Sequence, residues 1–356
     1  MLRSQASLVA IALGLVAVPA VAQDTPAEDS QETQEGLPEI VVTAQKRDQN
    51  LQDVGLSVSA LDDRQLRELG ISSAQQVSES VAGVQVYNYL GSQPTFVIRG
   101  IGVQDFAPNI APAAALYLDE VYLGSNILSG FQVFDTERVE ILKGPQGDLF
   151  GRNTTGGAVS YTTKRPGDVL EGYVEAGVAN YETLSLDAAL GGPLTSGVSV
   201  RIAGRYSRQG RGYYTNTWSR ADTALPLSPL FFNPQREVGR NTDWAARGLI
   251  QIDLGGSGTL LFNIHGGEKR GDIIPLTPTG FSSIPGAAQP CGATALGGNY
   301  DARFCGDAFG YSDRDGDPYQ VKVDFVGSNH QTNYGASLRG EFDLGSLSLT
   351  SITSYV

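Results

Sequence analysis

The run Thr183-Leu184-Ser185-Leu186-Asp187-Ala188-Ala189-Leu190 alternates apolar and polar side chains, and Val198-Ser199-Val200-Arg201-Ile202-Ala203-Gly204-Arg205-Tyr206-Ser207 repeats the pattern. Successive side chains of an extended strand point to opposite faces, so this period of two predicts strands with one apolar and one polar face. The pattern returns in Ile250, Ile252 and Leu254 against Gln251 and Asp253, and in Leu260, Phe262 and Ile264 against Asn263 and His265. It appears again in Tyr334, Ala336, Leu338 and Phe342 against Ser337, Arg339, Glu341 and Asp343. Seven strands are expected, at residues 172–180, 182–191, 197–207, 245–254, 258–267, 333–343 and 346–356. A soluble sandwich with one wet face would alternate in the same way. Strand length separates the two, because most of these runs have about ten residues, the length of a tilted membrane-spanning strand. The connections agree. After a short first connection near Asn180-Tyr181, tight turns at 192–197, 255–258 and 344–346 alternate with long loops over 208–244 and 268–332. Outer-membrane barrels segregate short periplasmic turns from long extracellular loops in this way.

The start of the chain points to export. Residues 1–22 combine a basic Arg3, an apolar stretch from Leu8 to Val18 and the small-residue pattern Ala20-Val21-Ala22, which reads as a signal peptide cleaved before Gln23. The apolar stretch is short for a membrane anchor. Residues 23–38 form a polar leader; its first fourteen lack any large apolar side chain, and disorder is expected there. The formal net charge of −13 argues against nucleic-acid binding. Between leader and folded region lies Glu39-Ile40-Val41-Val42-Thr43-Ala44-Gln45-Lys46-Arg47. Its β-branched run favours an extended backbone, which can serve either as the first strand of a sheet or as a strand added to the edge of a partner's sheet.

Residues 48–166 read as a compact α+β domain. Asp62 or Asp63 can cap a helix running to Leu69 with Gly70 as its stop, and Ser72 or Ser73 a second helix to about Val81. Strands are expected at 84–87, 96–99, 115–118, 138–142 and 158–163, separated by Gly-rich turns and by longer loops. Within this region stand Ile98-Arg99-Gly100, Tyr117-Leu118-Asp119, Arg138-Val139-Glu140-Ile141-Leu142-Lys143-Gly144-Pro145-Gln146-Gly147 and Leu149-Phe150-Gly151-Arg152-Asn153-Thr154-Thr155-Gly156-Gly157-Ala158.

These motifs resemble the plug domain of TonB-dependent outer-membrane receptors, and residues 39–47 resemble that family's TonB box. The chain departs from the family pattern at Glu120, where Gly usually follows Tyr-Leu-Asp, at Lys143 in place of Arg, and at Asp148 in place of Thr. The resemblance implies a plug at 48–166 followed, from 167, by strands of an antiparallel transmembrane barrel. That barrel has 22 strands in the family, of which about seven are expected here. Seven strands cannot enclose a plug with a radius near ~13 Å, so a truncated, N-terminal portion of a longer protein is expected. The implied function is TonB-dependent uptake of a scarce ligand, most often a ferric siderophore. Cobalamin, haem, oligosaccharides and aromatic compounds are the alternatives within the family, and a passive porin or adhesin is the alternative of another class. The implied partners are TonB with its inner-membrane energising complex, outer-membrane lipid and an iron chelate. The implied location is the outer membrane, with leader, box and plug accessible from the periplasm. TonB would grip Glu39, Ile40, Val41, Val42, Thr43 and Ala44. Arg99, Gly100, Asp119, Arg138, Glu140, Gly144, Arg152, Gly156 and Gly157 would form the plug's charged and turn framework, with Gly147 as a further turn position; the charged members can also be read as plain surface charge. Ligand contacts would come from apical loops, with Tyr87, Tyr89, Gln104, Phe106 and Asn109 as candidates, although the aromatic ones can equally pack within the domain.

The remaining chemistry is sparse. No phosphate-binding loop occurs, and with two histidines no nucleophile–base set stands out, so neither an enzyme nor a cofactor is expected. Cys291 and Cys305 lie in one Gly-rich segment of an exported chain and are expected to form a disulfide. Asp313, Asp315 and Asp317, with Asp324, have part of a calcium-loop spacing. Pro318 stands where such a loop needs Gly, so a solvated acidic loop is the reading and no metal is expected.

Overall fold

The computed structural model describes residues 40–47, 49–89, 93–103, 110–125, 134–218, 235–273, 282–283, 305–306, 317, 319–321, 323 and 325–356. The N-terminal part contains β1 (Val41–Val42), β2 (Gln49–Asn50), β3 (Val58–Asp62), α1 (Asp63–Glu68), α2 (Ala74–Ser80), β4 (Val84–Tyr89) and β5 (Gln93–Ile98). It continues with β6 (Ala114–Leu118), β7 (Val121–Leu123), β8 (Thr136–Lys143), α3 (Gly147–Phe150) and β9 (Gly157–Thr163). Helices α1 and α2 start where the polar residues dictate. The Asp62 carboxylate accepts from the Gln65 amide at 2.7 Å while the Gln65 side chain accepts from the Asp62 amide at 3.1 Å. This reciprocal box satisfies two donors that the first helical turn leaves open. Ser73 caps α2. The strands β3 and β7 were not expected from the sequence; each is short and abuts a cap or a tight turn that hides its alternation.

Five strands form a mixed sheet in the order β3-β8-β9-β6-β7, with β6 parallel to β9 and the other pairs antiparallel. Period-two alternation sends Leu116, Leu118, Val139, Ile141, Val159 and Tyr161 to one face, where the helices and the β4–β5 hairpin cover them. Ala115, Tyr117, Leu142 and Ala158 point to the other face. That face is covered by the segment that begins at Ile40, with Val42 and Ala44 fully buried against it.

The second part contains β10 (Glu171–Ala179), β11 (Thr183–Thr195), β12 (Val198–Gln209), β13 (Tyr214–Asn216), β14 (Glu237–Val238), β15 (Asn241–Asp253) and β16 (Gly258–Asp272). After these come β17 (Ser282–Ser283), β18 (Cys305–Gly306), β19 (Gln320–Val321), β20 (Ser328–Asp343) and β21 (Ser348–Tyr355). The seven long strands form one antiparallel sheet in the order β10-β11-β12-β15-β16-β20-β21. The expected alternation is observed. Ile202 and Ile264 are 68% and 67% exposed on the outer face, whereas the inward Arg201, Ala203, Arg247 and Asn263 are buried. Four strands run further toward the long-loop end than expected, β12 to Gln209, β15 from Asn241, β16 to Asp272 and β20 from Ser328. Apart from Trp244 and Gly271 the extra residues are polar on both faces, so hydrophobic alternation could not reveal them. The long loops also contain sheet of their own: β14-β13-β19 and β17-β18 are separate small sheets.

Candidate functional site

The site is built where the Ile40–Ala44 segment, the mixed sheet and the seven-stranded wall meet. Glu140, on β8 and 1% exposed, places one carboxylate oxygen under three donors. The Thr43 amide donates at 2.8 Å, the Thr43 hydroxyl at 3.0 Å and Arg138 Nε at 2.8 Å, all to Glu140 Oε1. A carboxylate this buried is tolerable because each lost water is replaced by a donor. The segment is further held by the β1–β2 pairing, Val41 opposite Asn50 and Val42 opposite Gln49. Of the stretch expected to be gripped by a partner, Glu39 lies outside the described residues, and Ile40–Ala44 is docked here: Val42 and Ala44 find a complementary apolar face within the same chain, the own-sheet alternative that the sequence left open.

Next to this contact lies the β6–β7 turn, Asp119-Glu120. Both residues have positive φ, 49° and 67°, as a two-residue hairpin turn of this twist requires. Glycine is the natural occupant of the second position, which explains the family's Gly and makes Glu120 informative. Its carboxylate pairs with Lys46 at 3.1 Å and with Arg339 of the wall strand β20. Burial alone would raise the Glu120 pKa, but the hydrogen bond and charge of Arg339, together with Lys46, outweigh it and leave the carboxyl below its ordinary range. Asp119 accepts from the Thr163 amide at 2.8 Å, from the Thr163 hydroxyl at 2.9 Å and from Asn263 of β16 at 3.1 Å. A polar cavity of about 310 Å³ runs along this seam, lined by Thr43, Glu120, Arg138, Asn263, Arg339 and their neighbours.

Further along the wall, Asp135 and Arg201 form a two-pronged pair at 2.7 and 2.6 Å, each side chain 1% exposed. Arg201 also reaches Glu171 at 3.0 Å. Arg247 lies over the Phe134 ring at 4.5 Å from its centre. Arg205 donates to the Ser72 carbonyl at 2.6 Å. Sequence reasoning missed Glu120, Asp135, Arg201, Arg205 and Arg247 as site residues. The available signal was that the three arginines fall at polar positions of alternating strands, where a charge must face something other than lipid.

The other expected residues fall as follows. Arg99 donates to Ser57 Oγ at 2.5 Å and to the Lys143 carbonyl at 3.3 Å, bracing plug strands but not reaching the wall. Lys143, in the place of the family's Arg, donates to the Ala82 carbonyl at 2.8 Å. Arg152 is exposed and stacks over Tyr122, 5.7 Å from its centre, so its contact is an aromatic ring rather than an ion pair. Gly144 has the expected left-handed backbone, with φ of 111°. Gly156 does not; it is needed because a Cβ would lie 2.9 Å from the Ile101 carbonyl oxygen. Gly147 has neither constraint and starts α3. Gly100 and Gly157 both have positive φ. Tyr87 is exposed on β4 and its hydroxyl donates to Gln85 at 2.9 Å. Tyr89 is in the same strand, its side chain outside the description, and Gln104, Phe106 and Asn109 lie outside the described residues. So do Cys291, Asp313, Asp315 and Asp324; Cys305 contributes only backbone, in β18. Asp317 accepts from the Tyr319 amide at 2.9 Å, closing a turn.

Residues 50–158 match the profile of the TonB-dependent receptor plug domain. These residues are a plug domain of the TonB-dependent receptor family. The mixed sheet is thus the plug, and the seven-stranded sheet occupies the place of the wall. Over 193 residues the chain is 29% identical to the pesticin receptor of Yersinia pestis, a match covering 53% of this chain and 27% of that protein. It is 26% identical over 145 residues to the ferripyoverdine receptor of Pseudomonas aeruginosa, covering 41% of this chain and 17% of that one. The chain thus spans about a quarter or less of the length of these curated relatives. Among solved structures, the ferric yersiniabactin uptake receptor from Yersinia pestis superimposes with a TM-score of 0.61 at 16% identity, covering 84% of this chain and 40% of that one. The ferric-catecholate import receptor of E. coli K12 superimposes with a TM-score of 0.56 at 17% identity, covering 89% and 41%. At these identities the structural likeness shows the fold.

Proposed function

We propose that this chain is part of a TonB-dependent outer-membrane receptor for active uptake of a ferric siderophore. In this reading residues 1–22 are a signal peptide, 23–38 a periplasmic leader, 39–47 the TonB box, 48–166 the plug and 167–356 wall strands. The observation that carries it is the placement of the box-like segment. Thr43 docks on Glu140 and Lys46 on Glu120, whose partner Arg339 is five residues before the tight turn at Leu344. Tight turns mark the periplasmic end of an outer-membrane barrel. The segment that TonB would pull is therefore at the end of the wall from which TonB would approach. Pulling Ile40–Ala44 into an added strand removes the cover from one plug face and takes both Thr43 donors from Glu140, leaving it Arg138, so force applied at the box reaches the plug core directly. The ligand class rests on the names of the relatives, which include ferripyoverdine and ferric yersiniabactin receptors. No catalytic role is assigned to any residue in this reading.

The test uses Val41→Pro in the protein expressed from its complete gene. Proline removes a backbone donor and prevents strand addition. Binding of a radioiron-labelled siderophore at the cell surface is expected to persist while accumulation inside the cell stops, and a protonophore is expected to stop accumulation by the wild type. Uptake that ignores both treatments would support the passive-pore reading instead.

A further inference from the structure

The outer face of the wall, turned away from the plug, is charged at one end only. Strand register aligns Val198, Ile252, Leu260 and Gly340 in one row near the tight turns. Ten residues further along each strand, the same register aligns Arg208, Thr242, Arg270 and His330. Between these rows the outward positions are Val200, Ile202, Gly204 and Tyr206 on β12 and Ile250, Gly248, Ala246 and Trp244 on β15, with a matching apolar series on β16 and β20 broken only by Glu268 and Thr332 beside the upper row. Ten residues at about 3.3 Å each span ~33 Å along the strand. A tilt of about 40° reduces that to ~25 Å along the membrane normal, the height of the apolar band of an outer-membrane barrel. The arginine row therefore sits at the outer boundary of the band, and Tyr206 and Trp244, opposite each other in register, lie directly beneath it where an aromatic girdle belongs.

Arg208, Arg270 and His330 are exposed. Arg208 and Arg270 lie on alternate strands, about 9–10 Å apart, with the Thr242 hydroxyl between, and His330 lies on the strand next to Arg270. Arg240 borders the row, and a polar depression of about 540 Å³ opens among these residues. Two carboxylates share the patch: Glu268 contacts Arg270 and, at 2.6 Å, His330, and Asp272 pairs with Arg240 at 3.2 Å. Three guanidiniums thus face two carboxylates, and Arg208 makes no ion pair among the described residues. This excess of positive charge stands out in a chain with a formal charge of −13. Guanidinium groups at headgroup depth recognise phosphate through paired hydrogen bonds.

We propose that Arg208, Thr242, Arg270 and His330 form a binding site for the phosphate of an outer-leaflet lipid headgroup. The site rests on the outer-membrane reading above, and the test separates the two. The protein, purified from membranes of cells expressing its complete gene, is reconstituted into phosphatidylcholine vesicles, with and without diphosphorylated lipid A, alongside an R208Q/R270Q variant. Insertion is read by trypsin resistance and retained lipid by native mass spectrometry. Both proteins are expected to insert, and the wild type to retain lipid A about tenfold or more over the variant, as the loss of charge-assisted bonds to phosphate implies. A conservative R208K/R270K variant, keeping the charge without the fork, is expected to fall between them. Equal retention by wild type and R208Q/R270Q overturns the site and leaves the membrane reading standing. Displacement of lipid A by inorganic phosphate at equal concentration overturns the lipid assignment in favour of a free-anion site. Failure of the wild type to insert overturns both readings.

Discussion

Glu120 shows how one side chain can occupy a glycine position and offset its cost. A left-handed backbone costs a non-glycine residue roughly 1–2 kcal/mol, and the two cations that meet this carboxylate return a comparable amount. Because its pKa in the folded protein lies below the ordinary glutamate value of 4.5, its contribution is complete above that value and is lost as pH falls through the depressed one. Glu120→Gln is therefore expected to flatten the dependence of unfolding free energy on pH below about 4.5 and to leave the slope at neutral pH unchanged; an unaltered acid limb in urea titrations would count against the assignment. Asp135 and Arg201 are coupled more tightly, since neither touches water. Asp135→Asn leaves the buried Arg201 charge with only the half-exposed Glu171 as its counter-ion and is expected to cost about 3–5 kcal/mol. Adding Arg201→Met is expected to restore most of that loss, and a double-mutant cycle by denaturant unfolding measures the coupling.

The docked segment is the element whose state matters most. Its hold has an apolar part, Val42 and Ala44 under the plug face, and a polar part, Thr43 on Glu140. Replacing Val42 with Asp places a carboxylate on a fully apolar surface, at a cost of several kcal/mol unless the segment lifts off. Lys46 and Arg47 are exposed already, but the turn to Thr43 and the Lys46–Glu120 pair hold their backbone, and lifting off frees the peptide bonds after both residues to extend into the trypsin cleft. Cleavage there is expected to speed up by about tenfold or more, since proteolysis tracks the population of the open form, while cleavage elsewhere in the plug stays unchanged. Intact-mass analysis over a trypsin time course decides it: acceleration at every site alike would mean that the whole plug, rather than the segment, had loosened.

Across the wall as a whole, depth along the strand governs what a substitution costs. Ile264 lies midway between the two rows that bound the apolar band, and Thr242 lies in the upper one. Arginine on the lipid face costs about 2–4 kcal/mol at mid-depth and roughly 0–1 near the interface. Ile264→Arg is thus expected to destabilise the vesicle-inserted protein by about 2–4 kcal/mol, and Thr242→Arg by no more than about 1. Guanidinium unfolding from vesicles gives both values, and similar costs at the two positions would place the band elsewhere on the sheet.

Local patterns were enough for the helices, for the seven long strands and for which face of each long strand is apolar, but not for the short strands β3 and β7. The alternation in 183–207 set the wall strands, Asp62 and Ser73 set the starts of the helices, and Gly70 the end of the first. These are nearest-neighbour effects, decided by side-chain direction and by backbone donors within a few residues. The motifs around Arg99, Asp119, Arg138 and Glu140 identified the plug for the same reason, being contiguous. What the arginines at 201, 205, 247 and 339 face, and that Glu120 ties the turn to both the docked segment and the wall, depended on contacts between residues 66 to 219 positions apart. The docked state of Ile40–Ala44 was likewise illegible, because a β-branched run is equally suited to an open edge and to a covered face. Only the folded plug, with Ala115, Tyr117, Leu142 and Ala158 left apolar on one side, decided between them: an apolar face of that size is covered by whichever segment of the chain can reach it, and water leaves both surfaces when it does.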